Sequence, residues 1–198
     1  MMKIGAISAM LFATVLLLGG CSTETDELQS FAPATKPSGA ALSDPKAIYA
    51  YGLSLARGEG IEQDFTAAAE WFRQAADMGN IDAQYQLGLL YGRGEGVSQD
   101  FAKARELLQK ASMAGHPKAM YFYAEMHARG EGGPENDREA CTWYWLATTF
   151  GNKYAQKRLR SITPRISPED LIAAQEKAEE LWKKIPHDRA VKLPSSMH

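Results

Sequence analysis

Hydrophobic and polar positions divide the chain into three stretches. Residues 4–18 are mostly apolar and follow a lone basic residue, Lys3. Residues 22–43 carry no apolar period and are rich in Ser, Thr, Pro, Ala and Gly, as in Ala32-Pro33-Ala34-Thr35-Lys36-Pro37-Ser38-Gly39. Beyond Asp44 the pattern becomes periodic on a longer scale. Ala47, Ala83, Ala119 and Ala155 lie 36 residues apart, and other positions keep the same step. Tyr49, Tyr85 and Tyr121 recur, as do Gly58-Glu59-Gly60, Gly94-Glu95-Gly96 and Gly130-Glu131-Gly132. So do Ala68, Ala104 and Ala140, the slot of Trp71, Leu107 and Trp143, and the trio Gly79, Gly115 and Gly151. Self-similarity at such a period is the mark of stacked supersecondary units.

Each unit reads as helix, turn, helix, turn. Asp44-Pro45 starts the first helix with a cap residue followed by proline at the first helical position. Asn80 caps a helix over 81–93, and His116-Pro117 begins its equivalent in the next unit. The Gly-x-Gly pairs end these first helices, where a positive φ is needed. Asp64 and Asp100 cap the second helices, over roughly 65–78 and 101–114. In the fourth unit Pro164 ends the first helix. Ser167-Pro168-Glu169-Asp170 then starts a last helix that runs to about Lys184, with a polar outer face at Glu176, Lys177, Glu179 and Glu180. One helix pair cannot bury its apolar face alone, so the units must stack. The expected fold is all-α: a short right-handed α/α solenoid over 44–185, of about three and a half 36-residue helix-turn-helix repeats. The repeats are 47–82, 83–118 and 119–154, with a C-terminal capping unit at 155–185. Residues 186–198 are expected to be a disordered tail.

The residues Ala83-Gln84-Tyr85, Leu87-Gly88, Tyr91, Gly94, Gly96-Val97 and Asp100, with the later alanines and Gly115, resemble the Sel-one-like repeat (SLR). That family belongs to the tetratricopeptide-like helical solenoids. The likeness covers roughly residues 45–163 and is closest in the first two units. The third unit departs at Ala124, His127 and Gly133-Pro134-Glu135-Asn136, so an altered turn is expected there. The resemblance implies protein–protein interaction as the role.

The start of the chain carries a second resemblance. Leu18-Gly19-Gly20-Cys21 resembles a bacterial lipobox, and the apolar stretch before it is too short to span a membrane, which takes about 20 residues. The implication is a lipoprotein signal peptide at 1–20, with Cys21 acylated (a palmitate-type chain) as the mature N-terminus. An ordinary signal peptide that happens to end in a cysteine is the alternative. Ser22 resembles the signal for the outer membrane, so the expected address is the bacterial cell envelope, lipid-anchored and facing the periplasm. Residues 21–43 then form a flexible tether, with a mean reach of roughly 25 Å.

Composition narrows the function further. The 198 residues are 45% hydrophobic with a net charge of −2, a folding composition without the basic stripe that nucleic-acid binding shows. Two cysteines cannot build a disulfide scaffold or a four-cysteine zinc site. The histidines have no metal-binding spacing, and His127 takes a slot held by Leu55 and Tyr91, which reads as packing. Each Gly-x-Gly follows a helix rather than a strand, so it is a turn and not a phosphate loop. No catalytic set, cofactor or metal site can be assembled, and the chain reads as a non-enzyme. Cys141 aligns with Ala69 and Arg105 and reads as a partly buried thiol. The chain is then a monomer, with an intermolecular disulfide dimer through Cys141 as the alternative.

The first helices line the concave face of such solenoids, and their recurring positions are the candidate partner site. These are Tyr49, Leu53 and Arg57 in the first repeat, Tyr85, Leu89 and Arg93 in the second, and Tyr121, Glu125 and Arg129 in the third. Tyrosine and arginine are enriched in binding hot spots. A stacked ladder of them suits a peptide, and the acidic Glu125 would set its register. The expected function is a membrane-anchored lipoprotein acting as an interaction scaffold or adaptor. The alternative is a module that binds cell-wall or exported polysaccharide.

Overall fold

The computed structural model describes residues 35–187. The expected leader, Cys21, most of the tether and most of the tail lie outside the described residues. Among the described residues the order is a short 3-10 helix, Gly39–Ser43, then α1 (Pro45–Arg57), α2 (Phe65–Asp77), α3 (Ile81–Arg93) and α4 (Phe101–Met113). There follow α5 (Pro117–Arg129), α6 (Asp137–Thr149), α7 (Lys153–Ile162), a 3-10 turn Thr163–Arg165, and α8 (Pro168–Lys184). Odd-numbered helices are the first helices of successive units and even-numbered ones the second. The described residues are all-helical, as the repeat implied.

Caps set the helix starts. The carboxylates of Asp64 and Asp100 accept from the backbone N–H of Ala67 and Lys103, at 2.9 and 3.0 Å. Asn136 does the same for Glu139 at 2.9 Å, and Gly130 and Gly132, with φ of 66° and 73°, repeat the conformation of the earlier pairs, so the altered turn expected in the third unit is not found: its backbone follows the first two. Asn80 and Ser167 cap α3 and α8 as the sequence implied. His116 caps α5 with its own ring: Nδ1 accepts from the Ala119 N–H at 3.0 Å. The first helices of the three full units end on a left-handed glycine: Gly58, Gly94 and Gly130 have φ of 70°, 71° and 66°.

The second glycine of each pair has another task. A Cβ on Gly96 would lie 2.2 Å from the Phe65 carbonyl carbon, and one on Gly132 would lie 2.4 Å from the Phe101 oxygen. The turn of one unit therefore rests directly on the start of the second helix in the unit before. Asn80 and Asn152 bind neighbouring units a second way, donating through Nδ2 to the Pro45 and Pro117 carbonyls at 3.2 Å each. The core divides into two clusters. The N-terminal one holds Ile48, Leu55, Phe72, Leu87 and Leu90, and the C-terminal one holds Leu108, Met120, Tyr144, Leu146 and Phe150. Each such buried side chain stabilises by roughly 1.5–3 kcal/mol. Tyr91 packs against both clusters and makes the core continuous.

Four further sequence expectations need correction. The last part of the stretch read as a tether is ordered: Gly39 to Ser43 wind into the 3-10 helix, and the Lys36 ammonium sits 5.7 Å from the Trp71 ring centre. The start of the stretch read as a tail is docked. The Pro186 carbonyl lies against Gly115 and the His187 ring stacks on Trp182 at 4.1 Å, continuing from the buried Ile185 that closes the solenoid. Cys141 is fully buried rather than partly so, which removes the basis for a disulfide dimer. The slot looked accessible because it also holds Arg105, but in the last full unit α8 packs on α6, with Thr142 Oγ1 donating to the Ala174 carbonyl at 3.2 Å. Burial, with the Asp137 charge nearby, pushes the Cys141 thiol up to about 11. The fourth correction concerns Glu125 and belongs to the site.

Candidate functional site: two grooves along the first helices

The recurring positions do not form one ladder. They collect on two separate grooves. The first, of about 510 Å³, carries Tyr49 and Arg57 from α1 and Tyr85 from α3, and it continues onto the first turns of α5 and α7. The second, of about 330 Å³, carries Leu89 and Arg93 from α3 and Tyr121, Glu125 and Arg129 from α5. Leu53 is in neither; it packs on the N-terminal core. The tyrosines do not stack on one another. Tyr49 tilts against Phe72 at 5.7 Å, Tyr85 stacks on His116 at 4.6 Å, and Tyr121 tilts against Tyr144 at 5.9 Å. Tyr85 is buried at the floor of the first groove, and that burial pushes its hydroxyl up to about 12.

The three arginines are exposed at the ends of their helices. Each pairs with the glutamate of its own turn: Arg57 with Glu59 at 3.4 Å, Arg93 with Glu95 at 3.6 Å, and Arg129 with Glu131 at 3.7 Å. Pairs this exposed contribute about 0–1 kcal/mol and leave Arg57 and Arg93 available to a partner, whereas Arg129 also binds the buried Glu125.

Glu125 is not available. Its side chain is 7% exposed, and both carboxylate oxygens are engaged. Arg158 of α7 grips it with two nitrogens, Nε on Oε1 and a terminal nitrogen on Oε2 at 2.6 Å. The Tyr144 hydroxyl of α6 donates to Oε1 at 2.5 Å, and Arg129 donates to Oε2 at 2.8 Å. Burial alone would raise this carboxyl. The Arg158 and Tyr144 hydrogen bonds outweigh it and hold Glu125 below the ordinary carboxylate range. The residue expected to read a partner is instead a staple between the third unit and the cap. The apolar Leu53 and Leu89 at the same repeat position were the one hint in the sequence, and both are half-buried in the structure.

Several groove residues escaped the sequence reading. Lys118, Lys153 and Tyr154 line the first groove, and Tyr154 is 76% exposed. They sit in or beside a slot whose occupants are Lys46, Asp82, Lys118 and Tyr154, too mixed to stand out as a recurring position. His127 fulfils its packing reading. It is buried, edge-on to Tyr123 at 4.7 Å, and meets the Arg105 guanidinium at 2.6 Å from Nδ1. Burial and Arg105 push it down to about 4, so the ring is neutral near pH 7. Despite Gly133-Pro134-Glu135-Asn136, the turn keeps the backbone hydrogen bonds of the first two units, with Glu131 N–H donating to the Met126 carbonyl and Asn136 N–H to the His127 carbonyl at 2.9 Å each. Among the described residues no group of His, Cys, Asp and Glu could hold a metal ion, and no helix is long and apolar enough to cross a membrane.

Stacked helical hairpins with grooves along their first helices define an all-α repeat solenoid. The Sel1 repeat matches residues 45–80, 81–116 and 117–147, just over half of the chain, and the chain belongs to that family. Sel1 repeats generally mediate protein–protein interaction, and the family is typically non-catalytic. No curated protein matches the chain. Two solved structures are similar. A Sel1 repeat protein from Oxalobacter formigenes is 31% identical, with a TM-score of 0.56 over 59% of this chain and 48% of that one. A protective antigen of uropathogenic Escherichia coli, c5321, displaying an SLR fold, is 24% identical, with a TM-score of 0.70 over 80% of this chain and 35% of that one. The chain thus spans about half the length of the first and about a third of the second.

Proposed function

We propose that this chain is an interaction adaptor held at the cell envelope by a lipid on Cys21, and that its protein partner lies along the first helices of the solenoid. The observation that carries the reading is the gathering of Tyr49, Arg57, Leu89, Arg93, Tyr121 and Arg129 onto two open grooves. Tyrosine and arginine at the rim of a groove are the residues on which interfaces concentrate their energy. The address rests on the Leu18-Gly19-Gly20-Cys21 resemblance alone. Serine at position 22 favours the outer membrane, facing the periplasm.

In-cell crosslinking and pulldown of the full chain tests the adaptor role, beside an Arg57/Arg93/Arg129→Glu variant. A specific protein lost in the variant is the expected result. Capture of polysaccharide instead of protein would replace the adaptor with the sugar-binding alternative. Metabolic labelling with a palmitate analogue tests the anchor: label is expected on the native chain and absent from Cys21→Ser.

A further inference from the structure

The first groove has a chemistry of its own, and it says what kind of partner fits. Three cations line it, Arg57 at the end of α1, Lys118 in the first turn of α5 and Lys153 at the start of α7. Lys118 and Lys153 are exposed and make no ion pair among the described residues. Arg57 has only the exposed partner Glu59. Against them stands one acid, Asp82, and its carboxylate lies 3.3 Å from His116 Nε2. His116 Nδ1 accepts the Ala119 N–H, so the ring proton sits on Nε2 and points this acid inward to the cap. The groove is thus cationic on a chain whose net charge is −2. The positive ends of the α5 and α7 dipoles lie at the same rim and act in the same sense.

The remaining surface suits a polypeptide. Tyr49 and Tyr154 both line the groove, one from the first unit and one from the last. Gln86, also in the groove, presents a side-chain amide that makes no hydrogen bond among the described residues. A primary amide offers both a donor and an acceptor, the pair that an extended peptide backbone presents in return. We infer that this groove binds an extended acidic segment of a partner protein: its carboxylates meet Arg57, Lys118 and Lys153, and its backbone crosses Gln86 and the two tyrosines. The inference rests on the adaptor reading above and narrows it to one class of partner.

The test is selection of a random displayed peptide library on the full chain, followed by anisotropy titration of the enriched peptides. Peptides rich in Asp and Glu are expected, with affinity that falls as salt rises. Lys118→Glu/Lys153→Glu should weaken them roughly ten-fold or more, while Lys110→Glu, on the second helix α4, should not. Both lysines are exposed, so the double variant should melt within roughly 2 °C of the native chain, which separates lost binding from lost folding. Three results would overturn the inference: no enriched peptide, enrichment without acidic bias, or acidic peptides that tolerate the double variant. Polygalacturonate bound in place of the peptides would overturn it too, assigning the cations to an acidic glycan. If crosslinking still captures a protein through the arginines while acidic peptides are ignored, the adaptor stands and the acidic partner falls.

Discussion

Removing Arg158 should unlock the cap from the third unit. Arg158 gives Glu125 two charge-assisted hydrogen bonds, each of a kind that contributes about 1.5–3 kcal/mol. Two facts reduce the sum. The guanidinium is 41% exposed and regains water when released, and Tyr144 and Arg129 still satisfy the carboxylate once Arg158 is gone. The expected loss for Arg158→Ala is therefore about 2 kcal/mol, or roughly 4–8 °C in Tm for a chain of this size. The decisive assay is a double-mutant cycle with Glu125→Gln, read by urea unfolding. Direct coupling requires an interaction energy of about 1 kcal/mol or more; additive singles, with coupling below roughly 0.5 kcal/mol, would refute the staple. Hydrogen exchange gives a spatial check. In a solenoid each unit leans only on its neighbours, so protection should fall in α7 and α8 and hold in α1 and α2. The pH dependence has a definite sign. Glu125 is held below its ordinary value of 4.5, so its contribution is full above that pH and disappears as pH falls through the lower folded value.

Other outcomes follow from the same packing. Gly132→Ala should cost about 1–3 kcal/mol of overpacking against Phe101 on top of the left-handed penalty, whereas Gly79→Ala, with no atom within 4 Å of the new Cβ, should cost only the penalty of about 1–2 kcal/mol. Equal losses in urea unfolding would show that the turns do not bear on the preceding unit. Cys141 should resist thiol reagents in the native chain and react on unfolding, and non-reducing gels should show no disulfide dimer. His127 remains neutral in the folded chain down to about 4 but takes a proton near 6.5 when unfolded, so stability should decline as pH drops between those values. His127→Leu, the residue of the first unit's slot, should flatten that decline in a thermal melt series. An unchanged slope would refute the buried neutral ring.

The sequence by itself determined the helices and their order. Asp64, Asp100 and Asn136 cap the second helices because a cap is settled within three residues of chain. The left-handed glycines at 58, 94 and 130 end the first helices for an equally local reason. The 36-residue step then implied stacking, since a lone hairpin cannot cover its apolar face. The tertiary structure alone decided what each recurring position does. Glu125 shares its register with Leu53 and Leu89, yet it becomes a staple because Arg158 lies 33 residues further on, in a unit that no longer follows the pattern. Cys141 shares its slot with the half-exposed Arg105, yet α8 covers it. Tyr85 was placed on the right helix, but only stacking against His116 put it at the floor of a groove whose rim comes from three other helices. Local hydrogen bonds obey the repeat wherever its residues recur. Burial, ion pairing and groove shape depend on the neighbouring unit, and at the cap that neighbour is no longer a copy.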